Sequence, residues 1–247
     1  MVLVMTGAAG DIGAACAKEM LQVVDVVLAD IREEEVQKLA EQLNSQGFPY
    51  RAYAKSVDVA NRQSVQSLME FARSVGPIEM LFTNAGLNRR LPVEEITEMD
   101  WDLVMDVHVK GTFLCCQLAL KEMVANGKGV IVTMSSDYAV MAKPNVAAYC
   151  AAKFAIYSMT KSLAKEFAGF GIRVNALGPG PIDTALLKSG RTEEEAEEAC
   201  RQYIDGVPMG RLGRPDEVAT VLRFLLSDRS SYVTGQMIHP NGGQLVW

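Results

Sequence analysis

VLVMTGAAGDIG, residues 2–13, opens the chain with the features of a buried strand and a glycine-rich turn. Residues 2–5 are all apolar, which is typical of a strand that is covered on both faces of a parallel sheet. Gly7, Gly10 and Gly13 follow, and residues 12–21 are predicted to form a helix. Glycines at such a turn let the backbone approach a pyrophosphate, and the helix N-terminus offers free N–H groups to it. The stretch therefore predicts the phosphate-binding turn of a dinucleotide site.

A second apolar run, residues 23–29, ends at Asp30, seventeen residues after Gly13. A carboxylate at this position can accept hydrogen bonds from a ribose diol, and it repels a 2′-phosphate. The glycine turn contains Asp11 and no basic residue, and Asp30 is followed by Ile31. These residues predict NAD in preference to NADP, whereas Arg32, two places beyond Asp30, argues for the opposite preference.

A second group of residues suits proton transfer. Tyr149 and Lys153 are one helical turn apart, and Ser136 precedes Tyr149 by thirteen residues. Because residues four apart share a helix face, the Lys153 ammonium is expected to lower the pKa of Tyr149 from about 10 towards that of a general base. The pattern is short, and its alternative is an ordinary helix with an exposed Lys153 and a packed Tyr149. Together with the glycine turn, it predicts proton exchange with an alcohol while a dinucleotide carries the hydride.

Apolar strand-like runs alternate with helical patterns along the rest of the chain. Strands are predicted at residues 50–57, 78–83, 130–134, 173–177 and near 235–239, and helices at residues 33–43, 64–74, 100–126 (interrupted near 109–111), 149–167 and 215–226. This alternation predicts an α/β fold, a Rossmann-type doubly wound parallel β-sheet of about seven strands with helices on both faces, in a single domain over residues 1–247. Asp30, Asn84 and Ser136 come at strand ends, where such sheets bind ligands.

Composition narrows the classes of partner. The chain has 247 residues, is 49% hydrophobic and carries a formal net charge of −6. The acidic balance argues against nucleic acid and anionic membrane as partners. The apolar runs look too short to span a bilayer and no signal peptide precedes the first strand, so a cytoplasmic location is expected. The five cysteines lack metal-ligand spacing, which predicts buried thiols and no metal site.

Taken together, the motifs resemble the classical short-chain dehydrogenase/reductase family nearly from end to end. Beyond the residues above, the resemblance rests on Asp58-Val59, Asn84-Ala85-Gly86, Ser135-Ser136, Arg173-Val174-Asn175-Ala176, Pro179-Gly180-Pro181-Ile182-Asp183-Thr184, Gly213-Arg214-Pro215, Thr234-Gly235-Gln236 and Asn241-Gly242-Gly243. It implies an NAD(P)-dependent oxidoreductase that acts on CH–OH groups of a small molecule. It also implies a homotetramer in which the 100–126 and 149–167 helices pair between subunits.

The resemblance assigns expected roles to individual residues. Tyr149 would be the general acid/base, Lys153 would lower its pKa and bind the nicotinamide ribose, and Ser136 would orient the reacting oxygen. The expected cofactor-binding residues are Gly7, Gly10, Asp11, Ile12, Gly13, Asp30, Ile31, Asp58, Val59, Asn84, Ala85, Gly86, Tyr149, Lys153, Pro179, Gly180, Ile182 and Thr184.

Two positions depart from the family pattern. Asp11 stands where the middle glycine of the phosphate turn is usual, so a slightly altered turn is expected. His108 stands where an asparagine usually relays a proton through water to the lysine. An imidazole can both donate and accept, so His108 could serve as a catalytic relay residue, or it could be a packed helix residue with one nitrogen satisfied. His239 is expected to be structural.

The sequence says least about the substrate. Residues 185–207 resemble a substrate lid, and the acidic run at 193–198 is expected to be a solvated helix face. Asn88, with Arg89 beside it, and Asp137 could reach a substrate bound at Ser136 and Tyr149. Polar groups there favour a small sugar or polyol, and loop polarity without a contact is the alternative.

A 3-oxoacyl-(acyl-carrier-protein or CoA) reductase is the main alternative function. Such enzymes mostly use NADP and need a basic patch for an acidic carrier protein. Here Val130 and Phe170 occupy the positions that resemble their carrier-binding arginines, although Lys128 is close by. Outside the enzyme class, the alternative is a catalytically silent dinucleotide-binding sensor. The intact Ser136, Tyr149 and Lys153 argue against it.

Overall fold

Strands and helices alternate along the chain as the sequence predicts. The computed structural model describes residues 1–188 and 192–246. Its strands are β1 (Val2–Thr6), β2 (Asp25–Asp30), β3 (Ala52–Ser56), β4 (Ile78–Thr83), β5 (Gly129–Met134), β6 (Ile172–Leu177) and β7 (Met237–Ile238). Its helices are α1 (Asp11–Met20), α2 (Glu33–Asn44), α3 (Arg62–Val75), α4 (Glu98–Met105), α5 (Gly111–Asn126), α6 (Ala147–Phe167), α7 (Ala185–Lys188), α8 (Glu193–Asp205) and α9 (Pro215–Leu226).

The described strands form one parallel sheet of seven, in the order β3-β2-β1-β4-β5-β6-β7. Val4 of β1 pairs with Val27 of β2 on one side and with Leu81 of β4 on the other. After β3 the chain crosses to the far side of β1, so the direction of winding reverses between β1 and β4. The doubly wound Rossmann-type prediction is confirmed, and the reversal places a ligand crevice at the carboxyl ends of β1 and β4.

Two apolar cores lie on opposite faces of this sheet. Leu3 and Met5 belong to the core that includes α1, α2 and α9, whereas Val2 and Val4 belong to the core that includes α3 and α5. All four side chains are fully buried, and successive residues of a strand point to opposite faces. Burial on both faces explains why β1 is an unbroken apolar run without the alternation of a half-exposed strand.

The helical segment before β5 changes its winding where the sequence predicts an interruption. Asp106–Lys110 forms one π-helical turn between α4 and α5. Gly111, which begins α5, lies against Val59, and a Cβ there would be 2.8 Å from Val59 Cγ2. Such turns are frequent at functional sites, and this one carries His108.

The same segment corrects the expectation that no apolar run could span a bilayer. By length and composition alone, Glu98–Asn126 is able to cross a membrane. However, 56% of its most apolar window is buried, and α5 contacts α3, β4 and β5. Packing against the sheet and α3 therefore accounts for the buried apolar residues of this segment.

The region predicted to be a lid, residues 185–207, contains α7 and α8, and residues 189–191 lie outside the described residues. Thr192 caps α8, because its hydroxyl accepts the N–H of Glu195 while the Glu195 carboxylate accepts the N–H of Thr192. The acidic residues of this helix are exposed, as predicted. Tyr203 in its last turn is 6% exposed and points to the protein instead.

Candidate active site

A groove of about 590 Å³ lies over the carboxyl ends of β1, β2, β3 and β4. Most of the residues predicted to bind a cofactor line it, namely Gly7, Gly10, Asp11, Ile12, Gly13, Asp30, Ile31, Asp58, Val59, Asn84, Ala85, Gly86 and Thr184. The others, Tyr149, Lys153, Pro179, Gly180 and Ile182, line an adjoining pocket. The fold therefore brings all of the predicted residues to one edge of the sheet.

The glycine turn has the shape that a pyrophosphate requires. Gly7 has a left-handed φ of +64°, and a Cβ there would lie 2.7 Å from the backbone of Ala85. Gly10 is the N-cap of α1, and no described side chain caps that helix end. The N–H groups in the first turn of α1 are thus available to phosphate oxygens. These features fit a dinucleotide.

Asp11, the departure from the family pattern, is tied to the segment that follows Thr184. Its Oδ2 accepts a hydrogen bond of 2.6 Å from the N–H of Ala185, the first residue of α7. A carboxylate in the first turn of α1 is also favourable next to the positive end of the helix dipole. The altered turn therefore connects the phosphate site with the predicted lid.

Asp30 closes the glycine turn and holds Arg32. Its Oδ2 accepts the N–H of Ala9 at 3.0 Å, and its Oδ1 accepts the N–H and the Nε–H of Arg32, each at 3.1 Å. This hydrogen bond raises the pKa of Arg32 above its usual range. The basic residue that argues for NADP is thus held by the carboxylate that argues for NAD. Ile31 between them is exposed.

Asn84 braces the groove from β4. Its Nδ2 donates to the carbonyl of Gly7 at 2.8 Å, and the N–H groups of Asn84 and Ala85 both donate to Thr6 Oγ1 at 3.2 Å. Asp58, at the end of β3, accepts the N–H of Ala60 at 2.9 Å. The contacts of Asn84 and Ala85 fix the ends of β1 and β4 relative to the turn, whereas the Asp58 contact is local to the loop after β3.

Ser136, Tyr149 and Lys153 meet in the adjoining pocket, which has a volume of about 170 Å³. Lys153 Nζ lies 5.4 Å from the centre of the Tyr149 ring and donates to the carbonyl of Met134 at 2.8 Å. The hydroxyl of Ser136 accepts the N–H of Tyr138 at 3.2 Å. Lys153 is 2% exposed, so the alternative of an ordinary helix with an exposed lysine is excluded.

The pKa values differ from the expected pattern. Burial raises the pKa of Tyr149 to about 12, against the hydrogen bond from Ser136 and the positive charge of Arg90. Burial also lowers the pKa of Lys153 to about 7. The expected lowering of the Tyr149 pKa by Lys153 is therefore wrong for the protein alone, because the same burial that isolates the phenol also disfavours the ammonium.

His108 packs beneath the pocket and against Tyr149. Its ring meets the Tyr149 ring edge-on, with 5.5 Å between centroids, and covers Gly86, where a Cβ would be 2.5 Å from Cε1. Its Nε2 lies 2.7 Å from the carbonyl and 3.1 Å from the N–H of Leu87. The shorter distance favours Nε2 as the donor to the carbonyl, which leaves the buried Nδ1 an acceptor without a partner among the described residues. Burial and the charge of Lys153 lower the pKa of His108 to about 3, so the ring is neutral.

Asp137 and Asn88, the predicted substrate contacts, both line the pocket. One oxygen of Asp137, Oδ1, lies 2.6 Å from His239 Nδ1 and 3.4 Å from Asn241 Nδ2. His239, expected to be structural, thus ties β7 to the residue after Ser136. The other oxygen, Oδ2, and Asn88 Oδ1 are buried without a hydrogen-bond partner in the described part of the chain.

Several further lining residues were not predicted as site residues, among them the polar Arg90, Tyr138, Tyr203 and Gln244. Tyr138 meets the Tyr149 ring edge-on at 6.3 Å, and its hydroxyl lies 3.5 Å from that of Tyr203. Only Tyr203 carried a usable signal, because a single large aromatic residue in an otherwise charged helix marks the face that packs inward. The sequence does not distinguish Arg90 from its neighbour Arg89. In the structure Arg90 lines the pocket, whereas Arg89 Nε forms an ion pair with Asp100 Oδ1 at 3.6 Å.

Comparison with known proteins places this geometry in a family. A family described as Enoyl-(Acyl carrier protein) reductase matches residues 7–244. The chain is 37% identical to a 3-oxoacyl-(acyl-carrier-protein) reductase from Thermotoga maritima, over 99% of this chain and 98% of that protein. It is 38% identical to an NAD-dependent glycerol dehydrogenase from Listeria innocua, over 99% of this chain and 94% of that protein.

A solved structure shows the same architecture. A gluconate 5-dehydrogenase from Burkholderia cenocepacia, in complex with NADP and tartrate, superposes with a TM-score of 0.91 at 31% identity, over 98% of this chain and 94% of that one. The matches span the sheet, the glycine turn and the pocket alike. The protein is therefore an oxidoreductase that binds a nicotinamide dinucleotide and acts on CH–OH groups, and the chain belongs to the classical short-chain dehydrogenase/reductase family.

Proposed function

We propose that the protein transfers a hydride between NAD and a secondary alcohol or ketone of a small sugar or polyol. The observation that carries the proposal is the convergence of Ser136, Tyr149 and Lys153 in a pocket that opens into the dinucleotide groove. The two share the lining residues Ile12, Asn84, Gly86, Leu87, Thr184 and Leu186. A substrate in the pocket and a nucleotide in the groove would therefore be neighbours.

The roles of the three residues follow from their surroundings. A bound nicotinamide would supply the hydride chemistry. With a pKa of about 12, Tyr149 is protonated, so in oxidation it takes the proton of the substrate hydroxyl as its own phenolic proton passes to neutral Lys153. In reduction the two transfers reverse, and Ser136 holds the reacting oxygen throughout. Lys153, with a pKa of about 7, can be charged or neutral near neutral pH, so it can pass that proton on.

We also propose that His108 takes part in this proton path. Its acceptor Nδ1 has no partner among the described residues, and its ring touches Tyr149. A water held there would accept from or donate to Lys153. Replacing His108 with Ala should lower turnover and shift its pH profile. An unchanged profile would leave His108 a packed helix residue.

The preference for NAD rests on Asp30. The Asp30 carboxylate is buried at the end of β2. It disfavours binding of a 2′-phosphate, since two negative charges would then lie close together in a partly enclosed groove. The same carboxylate forms an ion pair with Arg32, with 3.1 Å between Asp30 Oδ1 and Arg32 Nε, and so compensates the positive charge of the guanidinium.

The substrate class rests on the size and the polar groups of the pocket. Its 170 Å³ is small beside the roughly 300–1,000 Å³ of sites for drug-sized ligands. Three buried acceptors on its lining residues, Asn88 Oδ1, His108 Nδ1 and Asp137 Oδ2, have no described partner. A substrate with several hydroxyl groups supplies donors of that kind. The names of the Listeria and Burkholderia proteins likewise refer to polyhydroxylated substrates.

Reduction of 3-oxoacyl thioesters is the second candidate, favoured by the similarity to the Thermotoga reductase. A basic docking patch for a carrier protein is poorly supported. Phe170 is 49% exposed where such a patch would need a cation, and Lys128 is paired with Glu79 at 2.7 Å.

We further propose a cytoplasmic homotetramer, with residues 185–207 acting as a lid. Phe113 of α5 and Phe154 of α6 are 42% and 52% exposed, which suits pairing of these helices between subunits. A monomeric mass in solution would contradict the tetramer.

The testing experiment is NAD reduction by the purified protein with glycerol, alditols, aldoses, simple secondary alcohols and 3-hydroxyacyl thioesters, with NADP in parallel. Turnover of alditols or aldoses with NAD is expected. Turnover confined to thioesters would establish the second candidate instead. Tight NADH binding without any turnover would point to the sensor alternative.

A further inference from the structure

The charged residues that line the substrate pocket differ in whether they have a polar partner within the chain. In the described part of the chain its charged lining residues are Asp137, Lys153 and Arg90. Asp137 is bound by His239 at 2.6 Å, and Lys153 donates to the carbonyl of Met134. Arg90 forms no ion pair with any described residue, although its neighbour Arg89 pairs with Asp100. Arg90 is therefore the charged lining residue that has neither an ion pair nor a side-chain hydrogen bond within the described part of the chain.

An aromatic ring holds this charge in place. The Arg90 guanidinium carbon lies 5.8 Å from the centre of the Tyr203 ring, and Lys143 Nζ lies 3.6 Å from the same centre. Tyr203 is 6% exposed, so the ring is a fixed surface of the pocket. Two cations thus converge on one aromatic side chain that is supplied by α8.

The ring does not satisfy the donors of Arg90. A cation–π contact offsets part of the cost of desolvating a guanidinium, but a ring face offers no lone pairs to its five N–H groups. A carboxylate or phosphate would accept two of them at once. The positive field also acts on Tyr203, whose pKa is lowered although burial alone would raise it, because Tyr138 and Lys143 hydrogen-bond to it and both cations lie near.

Arg90 and the Tyr203 ring line the same cavity as Ser136 and Tyr149. Tyr138 spans the two, since its ring contacts Tyr149 while its hydroxyl contacts Tyr203. A molecule with its carbinol at Ser136 and Tyr149 can therefore extend towards Arg90.

We propose that the substrate carries an anionic group, a carboxylate or a phosphate, that binds Arg90 with Lys143 adding positive charge. The substrate class is then a polyhydroxylated acid or a phosphorylated polyol. This inference rests on the proposed function and narrows it from neutral polyols to their anionic relatives.

Matched substrates and matched variants test this proposal. The substrates are glucitol, gluconate and glucitol 6-phosphate, with the corresponding four-carbon set, threitol, threonate and threitol 4-phosphate. The variants are Arg90→Met, Arg90→Lys and, as the control, Arg89→Met, which removes a charge from the same loop where it is already paired. The readout is the ratio of kcat/KM for the anionic member to that for the neutral member.

The wild type should prefer an anionic member at least about tenfold, and Arg90→Met should lower that ratio at least about tenfold, mainly through KM. Arg90→Lys should retain part of it, and Arg89→Met should keep the wild-type ratio. Whether the carboxylate or the phosphate responds identifies the source of the charge. A preference for neutral members, or equal effects of Arg90→Met and Arg89→Met, would overturn the inference while leaving the proposed function intact.

Binding of tartrate to the NADH-loaded protein, measured by calorimetry, separates the two proposals if no substrate turns over. Binding to wild type that is weakened at least about tenfold in Arg90→Met would uphold the anion site although the proposed oxidation had failed. Equal binding to both proteins, or none to the wild type, would overturn it.

Discussion

The dinucleotide groove and the substrate pocket share a wall, yet their polar groups are satisfied differently. Every acidic or amide side chain that lines the groove, namely Asp11, Asp30, Asp58 and Asn84, has a hydrogen-bond partner within the chain. In the pocket, Asn88 Oδ1, His108 Nδ1 and Asp137 Oδ2 have none among the described residues. The acidic and amide side chains of the groove are paired without a ligand, whereas the pocket holds side-chain acceptors that are costly to leave unpaired.

This contrast indicates which of the two regions selects the ligand. A site whose side chains are already paired binds through its shape, its charge and the free backbone N–H groups of a helix N-terminus. A site with buried unpaired acceptors discriminates strongly, because a ligand that lacks the matching donors leaves them desolvated and unpaired.

Tyr149→Phe should disable the pocket and spare the groove. Removing the acid/base hydroxyl should lower kcat by about 10²–10⁴-fold, since this hydroxyl is the group proposed to exchange the substrate proton. NADH affinity, followed by fluorescence, should change little. Loss of NADH binding together with turnover would show that the two regions are not separable.

His108 should make the stability of the protein sensitive to acid. Its pKa falls from 6.5 to about 3 on folding, so between those values the unfolded chain binds the proton and the folded chain does not. The free energy of unfolding should therefore decrease as pH falls from 6.5 to 3, with about 1.4 kcal/mol per pH unit coming from this residue.

His108→Asn, which cannot titrate, isolates that contribution. Urea unfolding of both proteins between pH 6.5 and 4 should show a shallower decline in the variant. Parallel declines would mean that the ring of His108 reaches solvent and is protonated in the folded protein.

Asp30→Ser should change the cofactor preference of the groove without touching the pocket. The substitution removes the charge that repels a 2′-phosphate and frees the Arg32 guanidinium from its 3.1 Å pairing. The NAD-to-NADP ratio of kcat/KM should fall about 10–100-fold, or about 1.4–2.8 kcal/mol. Adding Arg32→Met should abolish most of the gain for NADP. An unchanged ratio would mean that another part of the groove selects the nucleotide.

The same comparison explains how far the sequence predicts this protein. The strand ending at Thr6, the glycine turn and Asp30 lie within one contiguous stretch, so local patterning predicts the part of the groove around β1 and β2. The alternation of strands and helices along the whole chain predicts the doubly wound sheet. The π-helical turn Asp106–Lys110 is also predicted, as an interruption of the helix, because Lys110-Gly111 breaks the helical pattern.

The pocket could be predicted only in part, because its walls come from distant parts of the chain. Arg90 follows β4, Tyr203 belongs to α8 and His239 to the end of β7, and no local pattern joins them. The pKa of Tyr149 was mispredicted for the same reason. Spacing places Lys153 beside it, but the burial that governs both groups depends on the packed fold.

Asp11→Ala should give the smallest effect, at a hydrogen bond that links the groove with the lid. The hydrogen bond from the Ala185 N–H to Asp11 Oδ2 is charge-assisted and 2.6 Å long, but Asp11 is exposed, so its net worth is on the order of 1 kcal/mol. Losing it should increase the open population of residues 185–207 about fivefold, since about 1.4 kcal/mol corresponds to tenfold. Limited proteolysis in this region, under conditions where cleavage reports the open population, should speed up by that factor. Asp11→Asn keeps an acceptor oxygen and removes the charge, so it should cleave nearly as slowly as the wild type. Cleavage of Asp11→Asn as fast as that of Asp11→Ala would contradict this. It would mean that the negative charge at the N-terminus of α1, and not the hydrogen bond, stabilises the closed position of the segment.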